Sequence, residues 1–260
     1  MTNIDFTKSE QYTLSIRLSA DGFSFSIHPP QKEAEVFFAS YPVNVSYSMT
    51  ANLKKMLQAT EELKYTYGQT NILIDTQRFT PVPFDLFEDE QTEQLFYQNF
   101  QRTDNETVLC NILGKSNIAL IFGMDKHTHQ LINESFPHAR IFACVSPLTE
   151  YFTCQSREAN NRRLYVLFHP NRMEVFALDK GKLLLINSFN SKHTSDHIYY
   201  LLYVWQQLGY SQEKDQLFLT GEVESKDALL AELKRFLRQV EFLPTQPTLP
   251  FDIQSLMTCE

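Results

Sequence analysis

LSIRLSADGFSFSIH, residues 14–28, reads as a β-hairpin in which turn and side-chain alternation agree. Asp21-Gly22 supplies two residues that tolerate positive φ, as the favoured two-residue turn requires. With the turn there, Leu18 is expected to face Phe25, and Ile16 to face Ile27. Leu14, Ile16, Leu18, Phe25 and Ile27 then share one face, and Ser15, Arg17, Ser19, Ser24, Ser26 and His28 share the other. That polar face is expected to be solvated rather than to form a cleft for a small anion, because antiparallel sheets commonly keep one wet side. A third strand is expected over 33–43. A helix follows over about 49–67, with Leu53, Met56, Leu57 and Leu63 as its buried stripe and Ser48 or Thr50 as its cap.

The same layout returns in RLYVLFHPNRMEVFALDKGKLLLINSF, residues 163–189. A turn at Pro170-Asn171 pairs Phe168 with Met173 and Val166 with Val175. A third strand follows Asp179-Lys180-Gly181, and the helix TSDHIYYLLYVWQQLGY ends at Gly209, a natural C-cap. NIALIFGMDKHTHQLINESFPHARIFACV (117–145) and DQLFLTGEVESKDALLAELKRFLRQVEFL (215–243) extend the echo, each a strand, a turn, a helix and a strand. Pro170 lies 149 residues after Asp21, but Gly221 lies only 98 after Gly123, so the first copy holds about 51 extra residues. The expected organisation is a first half over 1–160 with a small inserted subdomain at about 69–114, a second half over 161–243, and an extended C-terminal tail over 244–260. Arg157 and the NRR run at 161–163 are expected to mark a linker, with proteolysis near 158–163.

The chain has 260 residues, 43% of them hydrophobic and 21% charged, the balance of a soluble globular protein. Twenty-one Phe and 12 Tyr against 7 Gly make it core-rich rather than linker-rich. A net charge of −8 argues against nucleic acid as a partner. The start, MTNIDFTKSEQYT, lacks the basic and apolar runs of a leader, and no apolar run is long enough to span a membrane. Cys110, Cys144, Cys154 and Cys259 match no zinc spacing and read as reduced thiols, so a cytoplasmic location is expected.

Two copies of β-β-β-α-β-α-β, the first with an insertion, resemble the α/β, ribonuclease H-like fold of the actin-like ATPases. Actin, the Hsp70 ATPase domain, sugar kinases, FtsA and PilM share that fold. The insertion after the first helix is similar to the extra subdomain of the FtsA and PilM branch. More closely, the chain resembles an uncharacterised bacterial family, a domain of unknown function, assigned to this fold. The resemblance covers about residues 11–243 and rests on the order of elements.

Its nucleotide motifs diverge. The resemblance implies an Asp-x-Gly turn after the first strand, holding metal and approaching phosphate with small residues and free amides. Arg17 and Ser19 stand where that Asp and Gly would be, and Asp21-Gly22 belongs to the hairpin turn. The second half offers LFHPNRME, with His169, Asn171 and Arg172 at the turn, no Gly, and a proline that removes one amide. The Gly-Gly turn of the adenosine side survives only as Gly221-Glu222, which adds a carboxylate. The expected cleft between the halves is therefore lined by Arg17, Ser19, Asp21, Gly22, His169, Asn171, Arg172, Gly221 and Glu222.

Other residues carry weaker signals. His127 and His129 beside Asp125 fall in the first turn of a helix, where i and i+2 do not face each other, and His193 and His197 around Asp196 lack a third ligand, so both read as polar helix starts and no metal is expected. Phe84, Leu86 and Phe87 in FTPVPFDLFEDE either seat the subdomain or form a surface for a partner. Two functions follow. One is a non-catalytic pseudo-ATPase that captures a protein or self-associates and needs no cofactor. The other is an unconventional ATPase or phosphotransferase taking Mg-ATP, with Asp21, Glu174 and Glu222 as ligands or base.

Overall fold

Strand β1 (Thr13–Ser19) turns back into β2 (Gly22–His28), and the computed structural model, which describes residues 4–30, 35–244 and 249–259, sets their register. Leu18 pairs with Phe23, Ile16 with Phe25 and Ser19 with Gly22, so the two loop residues are Ala20 and Asp21. This is one residue earlier than the Asp-Gly dipeptide implies. Neither loop residue adopts positive φ. The Ser19 hydroxyl instead accepts the Asp21 amide at 3.3 Å and closes the turn from its first residue. Pairing moves by two, so every side chain keeps its expected face.

The chain divides into two compact units, Met1–Leu113 with Asn117–Pro147, and Gly114–Ser116 with Leu148–Glu260. In the first unit, β3 (Phe37–Tyr41), α1 (Met49–Ala59) and β4 (Gln69–Ile74) follow the hairpin. The start of the third strand expected at Glu33 lies outside the described residues. The Ser48 hydroxyl caps α1 by accepting the Ala51 amide at 3.2 Å. An insertion then holds β5 (Phe79–Pro83), α2 (Thr92–Tyr97), β6 (Glu106–Leu113) and β7 (Ile118–Asp125). The chain returns through α3 (Lys126–Ser135) to β8 (Arg140–Ala143). The main sheet has the order β3-β2-β1-β4-β8, with β4 and β8 parallel to β1, and the insertion forms a separate antiparallel sheet β5-β7-β6.

The second unit takes most of α4 (Val145–Ser156), then β9 (Arg162–His169), β10 (Arg172–Asp179), β11 (Lys182–Asn190), α5 (Thr194–Gln207), β12 (Gln216–Gly221), α6 (Lys226–Leu233), β13 (Gln239–Phe242) and α7 (Phe251–Cys259). Its sheet order, β11-β10-β9-β12-β13, repeats the main sheet of the first unit strand for strand. Here the expected register holds: Phe168 pairs with Met173 and Val166 with Val175 across Pro170-Asn171. Lys180 and Gly181 both have positive φ in the next turn, and Gly209, at φ 63, ends α5. Val166, Phe168, Met173 and Val175 pack with Leu201, Trp205, Leu217 and Leu229 as one core.

Four expectations about organisation change. Strand β12 pairs with β9 as β4 pairs with β1, so the counterpart of β12 is β4, and Gly123 on β7 is no counterpart of Gly221. The insertion therefore begins after β4 and includes β7, rather than spanning 69–114. The division between units falls at Pro147/Leu148, not at 160. The basic run is no linker: Arg162 opens β9 and pairs with Asp179 at 3.3 Å, and Arg163 donates to the Gln155 carbonyl at 2.7 Å. The tail is not extended over 251–259. Ile253 and Leu256 of α7 are buried, and Phe251 packs its ring on Tyr151 and Phe152.

One buried side chain ties the insertion to the main sheet of its unit. Asn111 of β6 donates to the Ile141 carbonyl at 2.9 Å and accepts the Ala143 amide at 3.0 Å, pairing with the β8 edge as a strand would. It also accepts the Ser146 hydroxyl at 2.8 Å. Asn111→Ala is expected to cost about 2–3 kcal/mol, because two buried groups and a half-buried carbonyl lose their partner. The midpoint of urea unfolding reads this loss.

Candidate functional site: the two hairpin tips

At the first tip, the residue that organises the others follows β4. Asp75, its side chain 3% exposed, accepts the Ser19 hydroxyl at 2.7 Å and faces Arg17 Nη2 at 3.2 Å, while its own amide donates to the Leu18 carbonyl at 2.9 Å. Arg17, Ser19 and the Asp21 amide thus form one hydrogen-bonded group around Asp75. The Asp21 side chain is exposed, and Gly22 pairs with Ser19 as an ordinary strand residue. Asp75 carried no signal in the sequence: it is a single acid after a short apolar strand, and only the parallel pairing of β4 with β1 brings it to the hairpin.

The second tip also sets a buried carboxylate beside basic residues, with a long hydrogen bond from Arg172 in place of the first tip's group. Glu174, 1% exposed, lies with one carboxylate oxygen 3.3 Å from His169 Nε2 and the other 3.4 Å from Arg172 Nη2. Asn171 is exposed, and its carbonyl accepts the Ser191 amide at 3.1 Å. Gly221 has φ +93, and a Cβ there would overlap the Phe168 backbone. The next amide, of Glu222, donates to the Phe168 carbonyl at 3.3 Å, and the Glu222 side chain is exposed. Gly221 is thus required by the approach of β12 to β9.

These contacts determine what each tip can do. A phosphate site needs uncompensated cations or free amides. Arg17 faces Asp75, and His169 and Arg172 face Glu174. Pro170 has no amide to offer.

The polar hairpin face is not solvated. Ser15, Ser24, Ser26 and His28 are all buried. His28 Nε2 lies 2.7 Å from the Ser26 hydroxyl, and burial pushes its pKa down to about 4. Above about pH 6.5 folded and unfolded chains both hold a neutral His28. Between about 6.5 and 4 only the unfolded chain takes the proton, so stability falls as pH falls, by about 1.4 kcal/mol per unit and roughly 3 kcal/mol in all. His28→Gln is expected to remove that part of the pH dependence, measured as unfolding free energy at pH 7 and pH 5.

The remaining candidates are accounted for locally. Asp125 caps α3 by accepting the Thr128 amide at 2.7 Å, His129 lies 3.2 Å from Asn133, and Asp196 accepts the His193 amide at 3.2 Å. Among the described residues, no three His, Cys, Asp or Glu side chains come together to hold a metal. Phe87 packs on the subdomain core of Val82, Phe96 and Ile121, while Phe84 and Leu86 are 45% and 71% exposed. No helix among the described residues is long and apolar enough to cross a membrane.

Two matching five-stranded sheets, each opened by a hairpin, define an actin-like ATPase fold. The chain belongs to the family described as "Protein of unknown function (DUF3822)", which matches residues 1–240. It is similar to a Bacteroides thetaiotaomicron VPI-5482 protein with actin-like ATPase fold and unknown function, with 47% identity and a TM-score of 0.92 over 99% of this chain and all of that one. A structure of the PilM–PilN type IV pilus biogenesis complex is similar in fold, with 11% identity and a TM-score of 0.56 over 89% of this chain and 88% of that one. None of the curated proteins compared with the chain matches it.

Proposed function

We propose that the protein is a non-catalytic actin-like module, a pseudo-ATPase, that works by binding another protein through its inserted subdomain. The observation that carries this reading is the pairing at both hairpin tips. Arg17 and Arg172, the guanidinium groups nearest the two turns, each face a buried carboxylate of the same unit, Asp75 or Glu174, where an incoming phosphate would meet negative charge. The subdomain keeps its own core and shows Phe84 and Leu86 to solvent. The PilM structure, a complex with PilN, gives a precedent in the same fold for a role in assembly.

The test is thermal unfolding with and without millimolar Mg-ATP. A ligand at about 100 times its dissociation constant stabilises the native state by roughly 2.7 kcal/mol, which moves the midpoint of a chain this size by roughly 5 °C or more. The expected shift is none. A Mg-dependent rise, with hydrolysis lost in Asp21→Ala, overturns the reading in favour of an unconventional ATPase.

A further inference from the structure

The inserted sheet treats its two edges differently. On β5 the Arg78 carbonyl accepts the Gly123 amide and the Phe84 amide donates to the Asn117 carbonyl, so even-numbered residues pair with β7 and odd-numbered ones point outward. Two of the outward positions are Pro81 and Pro83. They have no N–H to offer, a common device for closing an edge to further pairing. On β6 the Asn105 carbonyl accepts the Lys126 amide, so residues 105, 107, 109, 111 and 113 pair with β7. The N–H and C=O groups of Val108, Cys110 and Ile112 therefore point away, and no partner for them is found among the described residues. This edge has no proline, and Ile112 is 53% exposed.

The charge beside the edge is one-sided. Residues 76–113 carry two arginines against seven acidic residues, which leaves −5 of the chain's −8. Both arginines are occupied, Arg78 by Glu106 and Arg102 by Glu93. Asp85, Glu88, Asp89 and Glu90 are exposed. The short helical turn Asp89–Gln91 contacts α2, which packs on β6, and after burial the Asp89 charge helps push the Cys110 thiol up to about 11.

We propose that the outer edge of β6 binds an extended, cationic polypeptide segment of a partner protein as a fourth strand of the inserted sheet. Its main chain would pair with Val108, Cys110 and Ile112. Its apolar side chains would lie beside Ile112, and its Lys or Arg residues would face the acidic run. A second copy of this chain suits the edge less well, because it would bring −5 against −5. The proposal rests on the interaction-module reading but not on the nucleotide question, so a Mg-ATP melting shift and a loss of strand capture can occur independently.

The probe is a short fluorescent peptide of alternating lysine and valine, followed by anisotropy at physiological salt and by hydrogen exchange. The wild-type chain is expected to bind it and to slow exchange at the amides of Val108, Cys110 and Ile112. The same peptide N-methylated at alternate residues is expected to bind about tenfold more weakly or worse. Cys110→Pro removes an N–H that β7 does not use, so it is expected to keep the melting temperature and lose binding to the same extent. If that variant fails to fold, Ile112→Lys puts like charge at an exposed position of the edge, and the same loss is expected. Equal affinity for the N-methylated peptide, or for the folded edge variant, means only diffuse attraction to an acidic surface and overturns the proposal. Slow exchange of the three amides without peptide overturns it too. So does self-association that Cys110→Pro abolishes with no peptide binding, which would assign the edge to a second copy.

Discussion

Asp75→Ala is expected to lower the unfolding free energy by about 3–5 kcal/mol, the range for removing one partner of a buried ion pair. The carboxylate accepts the Ser19 hydroxyl and faces Arg17, whose side chain is itself only 14% exposed. Without it, a guanidinium that stays largely out of water loses the carboxylate 3.2 Å away, and Ser19, which closes the β1–β2 turn, loses its acceptor. The cost therefore comes mainly from what is left behind. That makes a second measurement informative: Arg17→Met combined with Asp75→Leu removes both charges and is expected to lose less than Asp75→Ala alone, a coupling that a double-mutant cycle reads directly. Both quantities come from urea unfolding. If Asp75→Ala stays within about 0.5 kcal/mol of the wild type, as an exposed pair would, Arg17 is not committed to Asp75. The case against a phosphate site at the first tip, which rests on that pairing, would then fail.

The second hairpin was legible to the residue because Pro170 offers no N–H to a ladder and its fixed φ suits the first position of a turn. The first hairpin had no such constraint. Asp-Gly named a turn, but the Ser19 side chain, held by Asp75 from another strand, settled it one residue earlier. The duplication was visible because three strands and a helix recur with the same polarity pattern. The location of the insertion was not, because NILI in β4 and IALIF in β7 are both short apolar runs, buried on both faces. Hydrophobicity reports burial and not which neighbour a strand pairs with. The helix at 251–259 was masked by the prolines before it, although the spacing of Ile253 and Leu256 is helical. At the site, Arg17, Ser19, His169 and Arg172 were found from the turns they flank. Asp75 was not, since its partners lie 58 and 56 residues away and no local pattern announces it.

Gly221→Ala is expected to destabilise the second unit by about 3 kcal/mol or more, and the loss should not depend on any ligand. Two costs combine. The backbone at φ +93 is unfavourable for an L-residue by roughly 1–2 kcal/mol. The added methyl would also meet the Phe168 backbone, and relieving that contact means moving β12 off β9, an overpacking cost of about 1–3 kcal/mol. The Glu222-to-Phe168 hydrogen bond, which continues the ladder past Gly221, would be strained by the same movement. A glycine kept so that a nucleotide could come close predicts the opposite: Ala would leave the fold intact and reduce only ligand affinity. Urea unfolding of the variant, measured with and without Mg-ATP, separates the two. A large loss that is the same in both conditions assigns Gly221 to strand packing. A variant as stable as the wild type, with an Mg-ATP melting shift present only in the wild type, would return Gly221 to a ligand site and the second unit to nucleotide chemistry.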